Sequence, residues 1–113
     1  MAMRKWLDRS QPLAGAPGLR GVDVAAAEWR QGALDLAAGG ARLEALWTEC
    51  THGAAARALY GGDDFLLLVT LTLTRGETEY PSVADVFPAA GRMQRAAADL
   101  TGLRASGTDS RPW

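Results

Sequence analysis

Residues 65–74 constrain this chain more than any other stretch. Phe65, Leu67, Val69, Leu71 and Leu73 recur at period two, and Leu66, Leu68, Thr70, Thr72 and Thr74 occupy the alternate positions. A period of two over ten residues predicts a β-strand. Its first half is apolar on both faces and its second half on only one, the pattern of a central strand covered on both sides at its start and partly wet at its end. The run is about half the roughly 20 apolar residues that a membrane-spanning helix needs. A fold built around such a strand needs partner strands and a covering layer, and both are legible on either side of it.

Gly61, Gly62, Asp63 and Asp64 form a turn before the strand, and residues 54–60 read as a second strand. Residues 41–49 alternate as well, with Leu43, Ala45 and Trp47 on one face. Ala and Glu are weak strand formers, but the period and the preceding Gly39 and Gly40 favour a strand there. Those glycines end a helix in which Val22, Ala26, Trp29, Ala33 and Leu36 make the apolar face and Asp23 is the N-cap. Beyond the long strand, residues 80–87 read as extended, because Pro81 biases Tyr80 away from helix. Pro88 suits the first turn of a second helix. In it Ala89, Met93, Ala97 and Leu100 face inward, Arg92, Arg95 and Asp99 face out, and Gly102 is the stop. With 113 residues there is room for one domain. The organisation expected is a flexible leader over 1–22, an α+β domain over 23–104 and an irregular tail over 105–113. Within the domain, a small, mostly antiparallel sheet of three to four strands carries two helices on one face.

Chemistry-bearing residues are sparse. Cys50 is the single cysteine and His52 the single histidine. One cysteine excludes an intrachain disulfide and fits a reducing, cytoplasmic compartment. Zinc or iron needs three or four ligands, which this pair does not supply. Asp63 and Asp64 sit in a tight turn without a calcium-loop pattern around them. The glycine pairs lack the spacing of a phosphate or dinucleotide loop. A formal net charge of −1 argues against nucleic acid as a partner. Residues 1–11 show no apolar segment of a secretory leader. Arginine outnumbers lysine eleven to one, which with abundant Ala and Gly is the usage of a GC-rich, bacterial genome. No catalytic, cofactor-binding or metal-binding residue is assigned, and no cofactor is expected.

Residues 80–90 (Tyr80-Pro81-Ser82-Val83-Ala84-Asp85-Val86-Phe87-Pro88-Ala89-Ala90) resemble a segment of the 30 kDa-type subunit of respiratory complex I, the NADH–quinone oxidoreductase. A close relative of that subunit, which this chain resembles more nearly, is the N-terminal domain of the large subunit of complex I-like, membrane-bound nickel–iron hydrogenases of the formate hydrogenlyase type. The family's following helix carries Glu-Arg-Glu-x-x-Asp-(Leu/Met)-(Phe/Tyr)-Gly. Here Arg95, Asp99, Leu100 and Gly102 match, while Gln94 and Ala96 replace the two glutamates and Thr101 the aromatic. Gly107, Asp109 and Arg111 echo the family tail, and residues 39–47 resemble the first strand of the hydrogenase-type version, to which the short connections are nearer.

The resemblance implies a non-catalytic structural or docking domain without flavin, cluster or nickel. The implied partners are a catalytic 49 kDa-type or hydrogenase large subunit and an iron–sulfur small subunit, with peripheral association at the inner membrane through them. The residues expected to bind partners are Arg92, Arg95, Asp99, Arg104, Arg111 and Trp113: a charged helix stripe and an aromatic-ended tail. A stand-alone binding module of unknown ligand is the alternative. A cofactorless enzyme with a pocket around Cys50, His52 and Asp85 ranks last.

Overall fold

The computed structural model describes residues 2–16, 18–51 and 53–106. Its elements run α1 (Ala2–Arg9), β1 (Gln11–Pro12), β2 (Leu19–Val24), α2 (Ala26–Ala38), β3 (Arg42–Glu49), β4 (Ala55–Gly61), β5 (Leu66–Thr72), β6 (Glu79–Pro81), α3 (Ala90–Thr101) and β7 (Arg104–Ser106). The fold is α+β as expected; among the described residues the main sheet has five strands rather than three or four, and there are three helices rather than two. The sheet order is β1-β2-β5-β4-β3, so the long apolar strand is central. β2 and β5 are parallel and the other pairs antiparallel. The parallel pair requires a crossover, which α2 and the β3–β4 hairpin supply. β6 and β7 form a separate parallel ribbon.

One face of the sheet carries the core. Val22, Val24, Ala56, Ala58, Leu67, Val69 and Leu71 are all buried on it, beneath Trp29, Ala33 and Leu36 of α2. The face expected inward on β5 is the face observed. The second expectation for β5 fails: Leu66 is 42% exposed and Leu68 is half-buried, so the start of the strand is covered on one side only.

The N-terminal segment is built into the domain. Trp6 is 1% exposed; its ring lies over Gly32 of α2, and its indole N–H donates to Asp35 at 2.8 Å. Arg20 of β2 donates to the hydroxyl and carbonyl of Ser10 at 2.7 and 2.8 Å, tying the end of α1 to the sheet. Residues 2–9, 11–12 and 19–22 are therefore helix and strand rather than a loose leader. Asp23 lies within β2, and Ala25 is the residue that caps α2. Its N–H is held by Glu28 at 2.8 Å, the reciprocal half of a capping box.

β3 departs from its expected phase. A bulge between Leu43 and Ala45 leaves Glu44 as the extra residue. Leu43 pairs with buried Tyr60 and faces the core, but Ala45 and Trp47 pair with Leu59 and Arg57 on the opposite face, and Leu46 and Thr48 take the inward positions.

α3 is also rotated from expectation. Its inward residues are Ala90, Gly91, Gln94 and Ala97; Met93 is half-buried, and Leu100 is 86% exposed. Small residues let the helix approach β3 closely enough for Thr48 to bond Thr101 at 2.6 Å. The expected tail begins inside the fold, because Leu103 is buried and residues 104–106 form β7. Gly102 ends α3 with φ 80, a left-handed geometry that favours glycine.

Candidate functional site

The segment that carries the resemblance, residues 80–90, works as a joint. Tyr80 packs edge-on against Trp29 with ring centroids 6.0 Å apart, and the Trp29 indole donates to the Pro81 carbonyl at 3.0 Å. Arg30 donates to the Ser82 carbonyl at 3.1 Å and forms a two-pronged pair with Asp85 at 2.7 and 2.5 Å. The Arg30 guanidinium, by hydrogen bonding, holds the Asp85 carboxyl below its ordinary range. Buried Gln94 accepts the Val83 N–H at 3.0 Å and donates to the Ser82 hydroxyl at 3.0 Å. Residues 80–90 thus lock α2, α3 and the β6–β7 ribbon together, which is work for a fold rather than for a substrate.

Of the enzyme-like cluster, Cys50 and Asp85 lie among the described residues, and each has a separate partner. Asp85 is taken up by Arg30, and exposed Cys50 approaches only the Thr101 carbonyl, at 3.9 Å. His52 lies outside the described residues. Among the described residues no group of three or more His, Cys, Asp or Glu could hold a metal ion. No described helix is long and apolar enough to cross a membrane.

The residues expected to bind partners are exposed where the structure describes them. Arg92, Arg95 and Asp99 lie on the exposed side of α3, with Ala96 and Leu100 among them, and Arg104 is exposed on β7. Arg111 and Trp113 lie outside the described residues. Leu100, expected in the core, instead joins this outer face, where it gives a charged stripe an apolar edge.

A second surface lies on the far side of the sheet, where no site was expected. The face opposite the helices carries Ala45, Trp47, Leu59, Leu66 and Leu68, none of them buried. Leu13, 36% exposed, lies over Gly21 of β2, where an added Cβ would stand 3.0 Å from a leucine methyl and crowd it. At one end of this face is an open trough of about 630 Å³ lined by Arg9, Leu13, Asp23, Arg57, Leu68 and Thr70. Arg9 is engaged by Glu28 at 2.6 and 3.1 Å, and Arg57 pairs through Nε with Glu49 at 3.3 Å. The signal for this face was in the sequence: Leu66 and Leu68 are apolar at positions that the core does not use.

Helices on one face of a mixed five-strand sheet, with a parallel ribbon beside them, define a class of fold that solved structures share. A trypsin-resistant fragment (1–134) of Nqo5 matches at TM-score 0.77 and 17% identity, over 98% of this chain and 100% of that one. A chain of the membrane-bound sulfane sulfur reductase, an archaeal respiratory membrane complex, matches at TM-score 0.69 and 15% identity, over 97% of this chain and 72% of that one. At these identities the likeness is one of fold. No protein-family model and no curated protein sequence matches the chain.

Proposed function

We propose that this chain is a non-catalytic structural and docking domain of a complex I-like NADH–quinone oxidoreductase or membrane-bound nickel–iron hydrogenase assembly. The observation that carries the reading is the end-to-end match in fold with the Nqo5 fragment, joined to the family-like run at residues 80–102. Residues 82–89 of that run form the turn-rich connection between β6 and α3, and residues 90–101 form α3 itself. The partners are a catalytic 49 kDa-type or hydrogenase large subunit and an iron–sulfur small subunit, and the chain sits at the inner membrane through them. The α3 stripe, with Arg92, Arg95, Asp99 and Arg104, is one contact surface, extended by Arg111 and Trp113. Exposed charges of this kind add little to stability but orient a partner and exclude wrong ones. The missing family glutamates alter the stripe unequally. Gln94 faces inward and keeps a structural bond, whereas Ala96 is exposed and removes a charge from the contact face.

The test is co-purification with the large and small subunits encoded beside it, comparing wild type with Arg92→Glu, Arg95→Glu. Binding that falls in the double variant supports the reading. Wild type that captures neither subunit overturns the subunit role, and equal binding by both proteins moves the contact off α3.

A further inference from the structure

We propose that two polar locks fix the rotation of α3: Gln94 on Val83 and Ser82, and Thr101 on Thr48. They hold Leu100 outside the core against its own hydrophobicity, so α3 is a helix with two competing faces and a lock on one of them. This device belongs to the fold itself and does not depend on the subunit reading.

An α-helix turns ~100° per residue. On that wheel the inward residues Ala90, Gly91, Gln94 and Ala97 centre about 90° away from the apolar stripe through Ala89, Met93, Ala97 and Leu100. Apolar area favours the second face, because a leucine and a methionine remove far more hydrocarbon from water than Ala90 and Gly91 do. The structure adopts the first. Leu100 is 86% exposed and Met93 half-buried, whereas Gln94, a polar side chain, is 6% exposed. Something other than apolar area therefore selects the face.

Hydrogen bonds supply the selection. The Gln94 carbonyl oxygen accepts the Val83 N–H at 3.0 Å, and its amide N–H donates to the Ser82 hydroxyl at 3.0 Å. Near the other end of the helix the Thr101 and Thr48 hydroxyls bond each other at 2.6 Å, and the Thr101 hydroxyl accepts the Leu103 N–H at 3.2 Å. The locks stand about 10 Å apart along the axis, on one side of the wheel. Between them, ridges made of Ala and Gly are low. They let the backbones approach but resist turning weakly. A quarter-turn that buried Leu100 would carry Gln94 and Thr101 off their partners and leave the N–H of fully buried Val83 unpaired, which is costly. With the locks closed, Arg92, Ala96, Asp99 and Leu100 share the outside of the helix. With them open, Leu100 and Met93 turn in and Ala98 comes out.

The experiment measures thiol labelling of single cysteines in the full chain, with Cys50→Ser in the background because Cys50 is exposed. Ala96 is exposed and Ala98 half-buried, on opposite flanks of the helix. Ala96→Cys should therefore label faster than Ala98→Cys in the otherwise native chain. Gln94→Leu with Thr101→Val removes both locks at similar side-chain size. The order of the two rates should then reverse, with helix content by circular dichroism unchanged. Adding Leu100→Ala should move the order back toward native, because less apolar area then pulls α3 round. Gln94→Glu with Thr101 kept should retain the native order, since a carboxylate accepts both the Val83 N–H and the Ser82 O–H. If position 96 stays faster in the double variant, apolar packing sets the register and the proposal is overturned. Loss of helix with equal labelling at both positions overturns it too, because α3 would melt rather than turn. Should the double variant not fold, Gln94→Leu or Thr101→Val alone must lower the ratio of the rates at 96 and 98, and a ratio unchanged in both overturns the proposal.

Discussion

Tyr80 is the residue where burial and hydrogen bonding conflict. Its ring is enclosed against Trp29, but its hydroxyl has no hydrogen-bond partner, and burial pushes its pKa up to about 12. A buried hydroxyl without a partner costs about 1–3 kcal/mol, and removing it costs nothing in shape. Tyr80→Phe is therefore expected to leave stability unchanged or raise it by about 1 kcal/mol in urea unfolding. A loss of that size would mean the hydroxyl is satisfied by a bound water. Glu28 shows the opposite situation. Hydrogen bonds from Arg9, and then from the Ala25 N–H, pull its carboxyl from 4.5 to about 2. A folded-state value below the unfolded one gives stability that is fully present above pH 4.5 and lost as pH falls toward 2. Melting temperature should drop across that window, and Glu28→Gln should flatten part of the drop. Asp85 and Glu77, held low by Arg30 and Thr74, act in the same direction. At this scale the sequence was least legible. Gln94 looked like a lost family charge and is a buried bridge, while Leu100 looked like core and is solvent-exposed. Hydrophobicity alone picked the stripe through Met93 and Leu100. Packing instead chose the small residues that let α3 close on β3.

The elements themselves were more legible than their phases. β4, β5 and the glycine-ended α2 could be placed because each has a clean period and a breaker at its end. β3 was legible as a strand, but its face was not, because a one-residue bulge inverts every side chain after Glu44 and leaves no mark in composition. α1 left no readable signal. It has eight residues, too few for a helix to hold by propensity, and it is followed by a run of breakers. What holds it is tertiary: the Trp6 indole bond to Asp35 and the ring seated on Gly32. Trp6→Ala should accordingly cost about 3–5 kcal/mol in chemical denaturation, as buried aromatic truncations do. A cost under about 0.5 kcal/mol is what a surface position shows, and it would return residues 2–9 to a loose leader.

At the scale of the whole molecule, the fold is lopsided. Three helices and the β6–β7 ribbon lie on one side of the sheet, and among the described residues the other side is bare. The sequence announced two covering layers through Leu66 and Leu68, and the described residues supply one. Charge spacing placed Arg92, Arg95 and Asp99 on an exposed side of α3, and Leu66 and Leu68 signalled a second apolar face on β5, but the extent of that face across β4 and β3 needed the strand order and the β3 bulge. The imbalance has a consequence for the chain alone. A bare apolar face on a folded domain binds hydrophobic dyes and lowers solubility without weakening the fold. Replacing Leu66 with Lys and Leu68 with Thr should therefore reduce dye binding by the native protein. Neither side chain is in the core cluster, so the stability change should stay within about 1 kcal/mol. Leu71→Ala, on the same strand but pointing the other way, should behave oppositely. It should cost about 2–5 kcal/mol and leave native dye binding unchanged, because Leu71 is 3% exposed and its methyls belong to the covered layer. The two measurements together fix which face of β5 holds the molecule together and which is open to solvent. If the double variant destabilised the chain as much as Leu71→Ala, the face that carries Leu66 and Leu68 would be part of the core.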